Sequence, residues 1–482
     1  MNTKKPVKTL LIALLIVFLL VCSVVLGIIS ISPPTADEAS PSFIRMMTNI
    51  EKLATGVRFV GTEEVAAARD EIIAEIEAMG LAPIVHRTVF TPEDIHEASA
   101  EIHLLHNESY WFPQLKPFDE KWENMWEEFN ADIFPEHPLI LQGYMNVDNI
   151  LVTLKSPYNE SGGMMFVTHY DSEQTTPGAA DSMLSVAAML EALRLYANHD
   201  NLANDIHFLF TSGEELFALG AWAFSEDFQY LTDEIDILLN FEAIGNSGGV
   251  INFQTSETSY DMIRFFSKTA PRPIGFHWGD WLYRVAITDS FTDFTVFREY
   301  GFQGMNFAIL EGNEFYHTPD DNFENLNKNT AWHYLAIMMA MIDYAAENPL
   351  HHLQGPSADA IFFPFLPGFM VVMTTTAASI LIGLAFATAI AFLICCFLTK
   401  IQKSRFIQVL LLLMLIMTAF TLMFASVFSY LFWIPMLLVS ISAFTKKWKS
   451  LYLCTITLSG AITLLLWTPP VYMIFALSHI IF

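Results

Sequence analysis

The sequence predicts an α/β domain, a mostly parallel sheet flanked by helices, set between an N-terminal transmembrane anchor and a C-terminal all-α transmembrane bundle. Three observations carry this. All 51 acidic residues fall within 33–360, and the flanks 1–32 and 361–482 hold none. The flanks contain apolar runs long enough to cross a hydrocarbon core of roughly 30 Å. Across the middle, short apolar runs alternate with amphipathic ones, the pattern of strands joined by crossover helices. At 482 residues, 53% hydrophobic and 16% charged, the chain is long enough for two or three units, at least one of them membrane-like.

The N-terminal run "LLIALLIVFLLVCSVVLGIIS" (10–30) follows Lys4, Lys5 and Lys8, which places the N-terminus in the cytoplasm. It lacks a small-x-small cleavage site and exceeds a usual signal core, so it reads as an uncleaved anchor. At the other end, 369–398 leads into the basic loop "TKIQKSR". The 40-residue run 406–445 reads as a helical hairpin returning to "KKWK" (446–449), and 451–467 crosses outward. The tail after Pro469 and Pro470 leaves 12 residues, short for a fifth C-terminal span. Both basic loops then face the cytoplasm, and parity puts 33–360 outside it. The expected organisation is a tail and anchor (1–32), an extracytoplasmic domain (33–350), a linker (351–368) and a membrane region (369–482). Short loops and the lack of cysteine in the middle region favour a bacterial plasma membrane. The two "NES" triplets (107–109, 159–161) would be glycosylation acceptors only in a eukaryotic lumen.

Within the domain, 41–54 and 63–80 have helical spacing and 81–90 reads as a strand. Residues 101–145, rich in Trp, Phe, Pro and acids, read as an insertion or edge hairpin. Strands are expected at 149–156, 163–169, 205–212, 234–243, 248–254 and 304–310, and helices at 184–198, 259–269 and 330–346. The domain's 15 basic residues leave it a net charge of −36, which excludes a nucleic-acid partner. The absence of cysteine from the domain is equally informative. Cys22, Cys395, Cys396 and Cys454 all lie in apolar segments, so no disulfide framework or cysteine-based zinc site exists in the middle.

The chemistry-bearing residues cluster just after the expected strands: His169, Asp171 and Asp181 in "THYDSEQTTPGAADS", then Glu214 and Glu215 in "SGEE", Glu242 in "NFEA", and His317 in "FYHTPDD". Ligand sites of open α/β sheets lie at the carboxyl ends of strands. Imidazole and carboxylate are zinc ligands, and two metals roughly 3.5–4 Å apart can share one carboxylate. His169, Asp181, Glu215, Glu242 and His317 would fill such a centre, with Asp181 shared. Asp171 would accept the second ring N–H of His169. Of two adjacent glutamates, one can bind metal while the other serves as general base. Each fragment alone is common as a satisfied polar pair or a helix-start charge. Their order at successive strand ends is what points to a metal site.

From about residue 40 to 350 the chain resembles metallopeptidase family twenty-eight, through "RFVGTEE", "THYDS", "GAADSMLSVAAMLEALR", "FTSGEELFALGAWAF", "NFEAIG" and "FYHTPDDNFENL". Residues 292–327 look most like its endoplasmic-reticulum metallopeptidase and vacuolar membrane protease branch. The resemblance implies a zinc aminopeptidase-like fold and two zinc ions per chain. One ion would be held by His169, Asp181 and Glu242, the other by Asp181, Glu215 and His317, with Glu214 as general base. Ser182 stands where many members carry another Asp or Asn, and Glu242 where soluble members often carry Asp. The implied function is a membrane-anchored exopeptidase, an aminopeptidase acting on peptide substrates by a metal-activated water. "GAADS" also looks like the single-zinc glutaminyl cyclases, so cyclase-like acyl transfer is an alternative reading. A catalytically silent peptidase-like binding domain is another. The implied surroundings are peptides and the lipid bilayer. Side-chain preference and oligomeric state are not written in the sequence.

Overall fold

The structure is a computed structural model and describes residues 29–108, 143–158, 162–277, 279, 291–354, 358–378 and 380. Two compact units emerge, Pro33–Ser357, and Met1–Ser32 with Ala358–Phe482. The first is built on an eight-stranded sheet of β1 (Ile84–Phe90), β2 (Met145–Leu154), β3 (Gly163–His169), β4 (Asp205–Thr211), β5 (Ile237–Phe241), β6 (Ile251–Thr255), β7 (Ile274–Gly275) and β8 (Gly304–Ala308). Its order is β1-β2-β4-β3-β5-β8-β6-β7. The expected parallel arrangement holds for the centre, β4-β3-β5-β8. It fails towards the edges, where β1/β2, β2/β4 and β6/β8 are antiparallel. The sheet is therefore mixed. The central strands are buried on both faces and read as largely apolar runs; β1 is exposed or half-buried along its length except at Phe90, as an edge strand is.

The helices are α1 (Pro41–Leu53), α2 (Glu63–Ala78), α3 (Pro92–Glu108), α4 (Ser185–Tyr196), α5 (Leu219–Asp227), α6 (Tyr260–Thr269), α7 (Asp293–Glu299) and α8 (Lys328–Glu347). Pro41 begins α1, where its missing N–H costs nothing. The Thr62 side chain caps α2 by accepting from the Val65 N–H. Three helices fall outside the expected set. The start of α3 is fixed by a reciprocal cap: Thr91 N–H donates to Asp94 at 2.7 Å and Asp94 N–H to Thr91 Oγ1 at 3.2 Å. It occupies the beginning of the stretch expected as an insertion; 109–142 lies outside the described residues. In α5, "LGAWAFSED", residues 219–221 and 223–225 are all buried, so the helix has no polar stripe for periodicity to reveal. α7 is seven residues long, too short to show a period.

Four phenylalanines from neighbouring strands stack in the core. Phe166 lies 5.4 Å from Phe208 and 6.2 Å from Phe241, and Phe241 lies 4.9 Å from Phe307, all nearly coplanar. This ladder ties β4, β3, β5 and β8 into one rigid platform, so the strand ends that carry the site residues keep a fixed spacing.

In the second unit, β9 (Ala360–Leu366) and β10 (Phe369–Thr374) form an antiparallel hairpin closed by Pro367 and Gly368 at φ +76°, the residue pair of a type II turn. The hairpin takes up most of the expected linker after 354 and the first residues of the run expected to span from 369. Burial alternates along β9, a period of two that overall hydropathy does not register. Among the described residues no helix is long and apolar enough to cross a membrane. The expected spans at 10–30, 406–445 and 451–467 lie almost wholly outside those residues; of the expected span 369–398, residues 369–374 are strand β10 and those beyond 380 lie outside the described residues.

Candidate metal centre

Three parallel strands and one returning loop bring the site together. His169 is the last residue of β3, and Glu242 follows β5 directly. After β4, Gly213 at φ +78° turns the chain so that Glu214 and Glu215 come back over the strand end. A side chain cannot take that backbone conformation cheaply. Asp181 lies in the wide turn Ala179–Leu184 that leads into α4. His317 sits at φ +54°, an uncommon conformation for a non-glycine residue and one that clusters at functional sites.

The distances assemble two groups sharing Asp181. His169 Nε2 is 3.1 Å from Asp181 Oδ1 and 3.3 Å from Glu242 Oε2. His317 Nε2 is 3.5 Å from Asp181 Oδ2 and 3.2 Å from Glu215 Oε2. Within each group one ligand atom per residue lies within 4.8 Å of the others, and Glu214 forms a third such group with His169 and Glu215. His317 Nε2 is buried and makes no hydrogen bond of good geometry despite those approaches, so it faces both carboxylates with its ligand position unused. Glu242, one methylene longer than Asp, does reach inward. Asn240 Nδ2 holds its Oε1 at 2.9 Å, and Asn240 is in turn held by Asn306. His169 Nδ1 faces the Asp171 backbone carbonyl at 3.1 Å, which fixes the proton on Nδ1 and frees Nε2 as a ligand. The donor set, two imidazoles and carboxylates at a closed distance, fits zinc ions.

Asp171 departs from its expected part. Its carboxylate stands 3.6 Å from His169 Nδ1, beyond a hydrogen bond. It instead accepts the backbone N–H groups of Glu214 and Glu215, both at 3.3 Å. The tautomer-setting acceptor is the Asp171 backbone oxygen, and the Asp171 side chain pins the glutamate pair to β3.

The electrostatics are those of crowded buried acids. Burial opposes protonation of His169, but the Glu242 charge and the hydrogen-bonding carboxylates around it prevail and raise its pKa well above the imidazole range. Burial also opposes His317, yet Glu215 and Asp181 raise it to about 10. Asp181 is resisted by burial but drawn down to about 2 by the two imidazoles. Burial, then the Glu242 charge, pushes Glu214 well up, and burial raises Glu215. These directions belong to the chain's own charges; divalent cations would pull the carboxyl values down. Among the described residues, no Lys or Arg forms a salt bridge with Asp181, Glu214, Glu215 or Glu242.

Three residues around the site were not singled out by sequence reasoning. Asp293, fully buried at the start of α7, accepts from Thr211 beside His169. Burial, then Glu242, raises it to about 8. Asp321 and Arg58 hold the loop before Asp181. Both stand inside blocks the sequence offered, four residues after His317 and in "RFVGT", but neither ends a strand, and strand ends were the signal followed.

Residues 149–342 match the family model described as peptidase family M28. The chain is 27% identical over 297 residues to a putative endoplasmic reticulum metallopeptidase 1-B of Caenorhabditis elegans, covering 60% of this chain and 33% of that protein. It is 25% identical over 254 residues to a vacuolar membrane protease of Candida dubliniensis, covering 51% and 26%. The matched region thus spans a third or less of either relative. Among solved structures, an aminopeptidase from Aneurinibacillus sp. strain AM-1 aligns over 64% of this chain and 94% of its own, at 13% identity and a TM-score of 0.45. The relatives' names point to the endoplasmic reticulum and the vacuole, and the bacterial plasma membrane expected from the short loops finds no support in them. Residues 149–342 thus match peptidase family M28, the metallopeptidase family the motifs of this chain resemble.

Proposed function

We propose that the chain is a membrane-anchored two-zinc exopeptidase that removes N-terminal residues from peptides. The observation that carries this reading is the pair of three-residue groups sharing Asp181, with Glu214 beside them and not needed by either. His169, Asp181 and Glu242 would hold one ion, and Asp181, Glu215 and His317 the other. Bound there, zinc would polarise the scissile carbonyl and make a water acidic enough to attack near neutral pH. Glu214, whose carboxyl burial raises, takes the proton of the attacking water and hands it to the leaving amine. Asp171 holds the Glu214 backbone in place for that transfer. Residues 10–30 and the apolar runs of the region 369–482 would anchor the domain, which would face away from the cytoplasm.

The test combines elemental analysis of the purified full-length chain with mass spectrometry of products from Leu-leading and Gln-leading peptides. Close to two zinc ions per chain and free N-terminal amino acids are expected. One zinc, loss of ammonia from the Gln-leading peptide and no residue released from either would replace this reading with cyclase chemistry.

A further inference from the structure

The loop between His169 and Asp181 is held from two sides by residues that bind no metal in the reading above. Arg58 is 3% exposed, and its guanidinium faces no carboxylate at hydrogen-bond distance. Its N–H groups donate to the backbone carbonyls of Tyr170 (3.2 Å), Pro177 (2.6 Å) and Gly178 (3.3 Å), and of Leu53 and Gly56 in its own segment. The Arg58 backbone is stitched to the same loop: its N–H donates to Ser172 Oγ at 2.9 Å and its carbonyl accepts from Ser172 N–H at 3.2 Å. One side chain thus spans both limbs of the loop.

Asp321 works from the other side. Its carboxylate accepts the N–H groups of Ala180 at 2.8 Å and Asp181 at 3.1 Å, and its carbonyl accepts from Ala179 at 3.1 Å. Because Asp321 follows His317 by four residues, the same loop delivers one ligand and fixes the backbone of the shared one. Thr175 Oγ1 adds a bond to the His317 carbonyl at 2.8 Å. Gly178 sits between the two holds at φ +57°, and a Cβ there would lie 2.2 Å from the Asp181 carbonyl and 3.1 Å from Arg58 Nη2. The approach is too close for any side chain, so the geometry is specified and not loosely packed.

We propose that Arg58 and Asp321 are positioning residues that together set the placement of Asp181 between His169 and His317, and thereby the zinc affinity of the centre. The inference rests on the two-zinc reading. Neither residue offers a ligand atom to the described groups. A ligand held by a fixed backbone loses little freedom when an ion binds, and groups supporting ligands change metal affinity by about 10–100-fold when altered.

The experiment uses the purified full-length chain, with zinc and with cobalt(II) as a spectroscopic stand-in. Affinity is read by competition with a chelating indicator, and unfolding of the metal-free chain is followed separately. Asp321→Asn keeps shape but offers an N–H where a carboxylate oxygen accepted one. Arg58→Lys keeps charge but cannot reach both limbs of the loop. Each variant is expected to lose affinity by about 10–100-fold, to shift the cobalt absorption bands, and to keep a metal-free midpoint within a few degrees of the parent. Parent-like affinity and spectrum in both would overturn the proposal, as would a loss confined to metal-free stability. Should Asp321→Asn fail to fold, Arg58→Lys decides alone by the same criteria. A parent chain that binds no zinc would instead remove the two-zinc reading on which the proposal stands.

Discussion

Asp148 and Glu191 are as buried as Asp181 and Glu242, at 4% and 2% exposure against 4% and 4%, yet the two pairs are treated in opposite ways. Asp148 accepts from Arg87 at 2.6 and 2.9 Å and also from Arg69. Burial would raise its pKa, but those guanidinium bonds lower it. Glu191 is paired with Arg45 at 2.8 Å and Arg194 at 2.6 Å. Guanidinium groups keep their charge at any ordinary pH and fork onto carboxylates, so these acids are neutralised permanently by the fold itself. At the strand ends the neutralising partners are imidazoles, which can give up a proton when an ion arrives. The difference teaches how to separate a structural buried acid from one reserved for a ligand: by whether its counter-charge can leave.

The largest test of that contrast is Asp181→Asn. Removing the shared carboxylate should empty both metal positions and bring peptide hydrolysis to background, as read by elemental analysis and turnover. Retention of two zinc ions would show that Asp181 is not shared.

Glu214→Gln should be nearly as damaging to activity and harmless to metal. A loss on the order of 10²–10⁴ in kcat is expected, with zinc content unchanged. Glu215→Gln should instead cost zinc. Equal zinc loss in both variants would undo the division of roles within "SGEE".

Asp293 extends the comparison to pH. Its folded pKa of about 8 lies above the ordinary carboxyl value near 3.9, so the native chain binds the proton more tightly than the unfolded one. Its contribution to stability is fully present below about pH 4 and is lost as pH rises through about 8. In the metal-free chain, Asp293→Asn should therefore stabilise relative to the parent by an amount that grows over that window, reaching a few kcal/mol at most. Denaturant midpoints measured at pH 5 and pH 8 decide it; a pH-independent difference would contradict the burial argument. Asp148, with its pKa lowered, has the opposite sign: its contribution is present above the ordinary carboxyl range and is lost as pH falls through its folded value.

Asp148→Asn should have the smallest effect of these substitutions, about 1–3 kcal/mol of stability, because Arg87 is half-exposed to water and Arg69 keeps Asp70 as a partner. Zinc content should stay at the parent level. A fall in zinc with intact stability would mean that the arginine-neutralised acids are coupled to the metal centre after all.

Much of this was written in local pattern. The central strands announce themselves as apolar runs because both of their faces are buried, and α4, α6 and α8 by helical spacing. The five ligand candidates could be read because they follow strands, where an open α/β sheet must place a ligand site. Local pattern could not show α5, which is buried too evenly to display a stripe, nor the β9–β10 hairpin, whose first strand falls in the expected linker and whose second opens the run expected to span. Nor could it fix strand direction: an antiparallel edge and a parallel centre have the same apolar content, and the choice rests on how β1 and β2 pair across the sheet.

Tertiary structure alone decided what surrounds the ligand candidates. Sequence places Arg58 and Asp321 far from Asp181, 123 and 140 residues away, and nothing in their local spacing says that they meet its loop. Asp171 shows the same limit at short range. Two residues from His169, it was expected to hold the imidazole, but the chain turns its carboxylate towards the N–H groups after β4 and leaves its backbone carbonyl for the ring. Residue type and periodicity report what a side chain can do and which face it occupies. Which donor it meets depends on loops from separate strands closing on one another, and the unpaired backbone groups of those loops, not the local sequence, settle the partner.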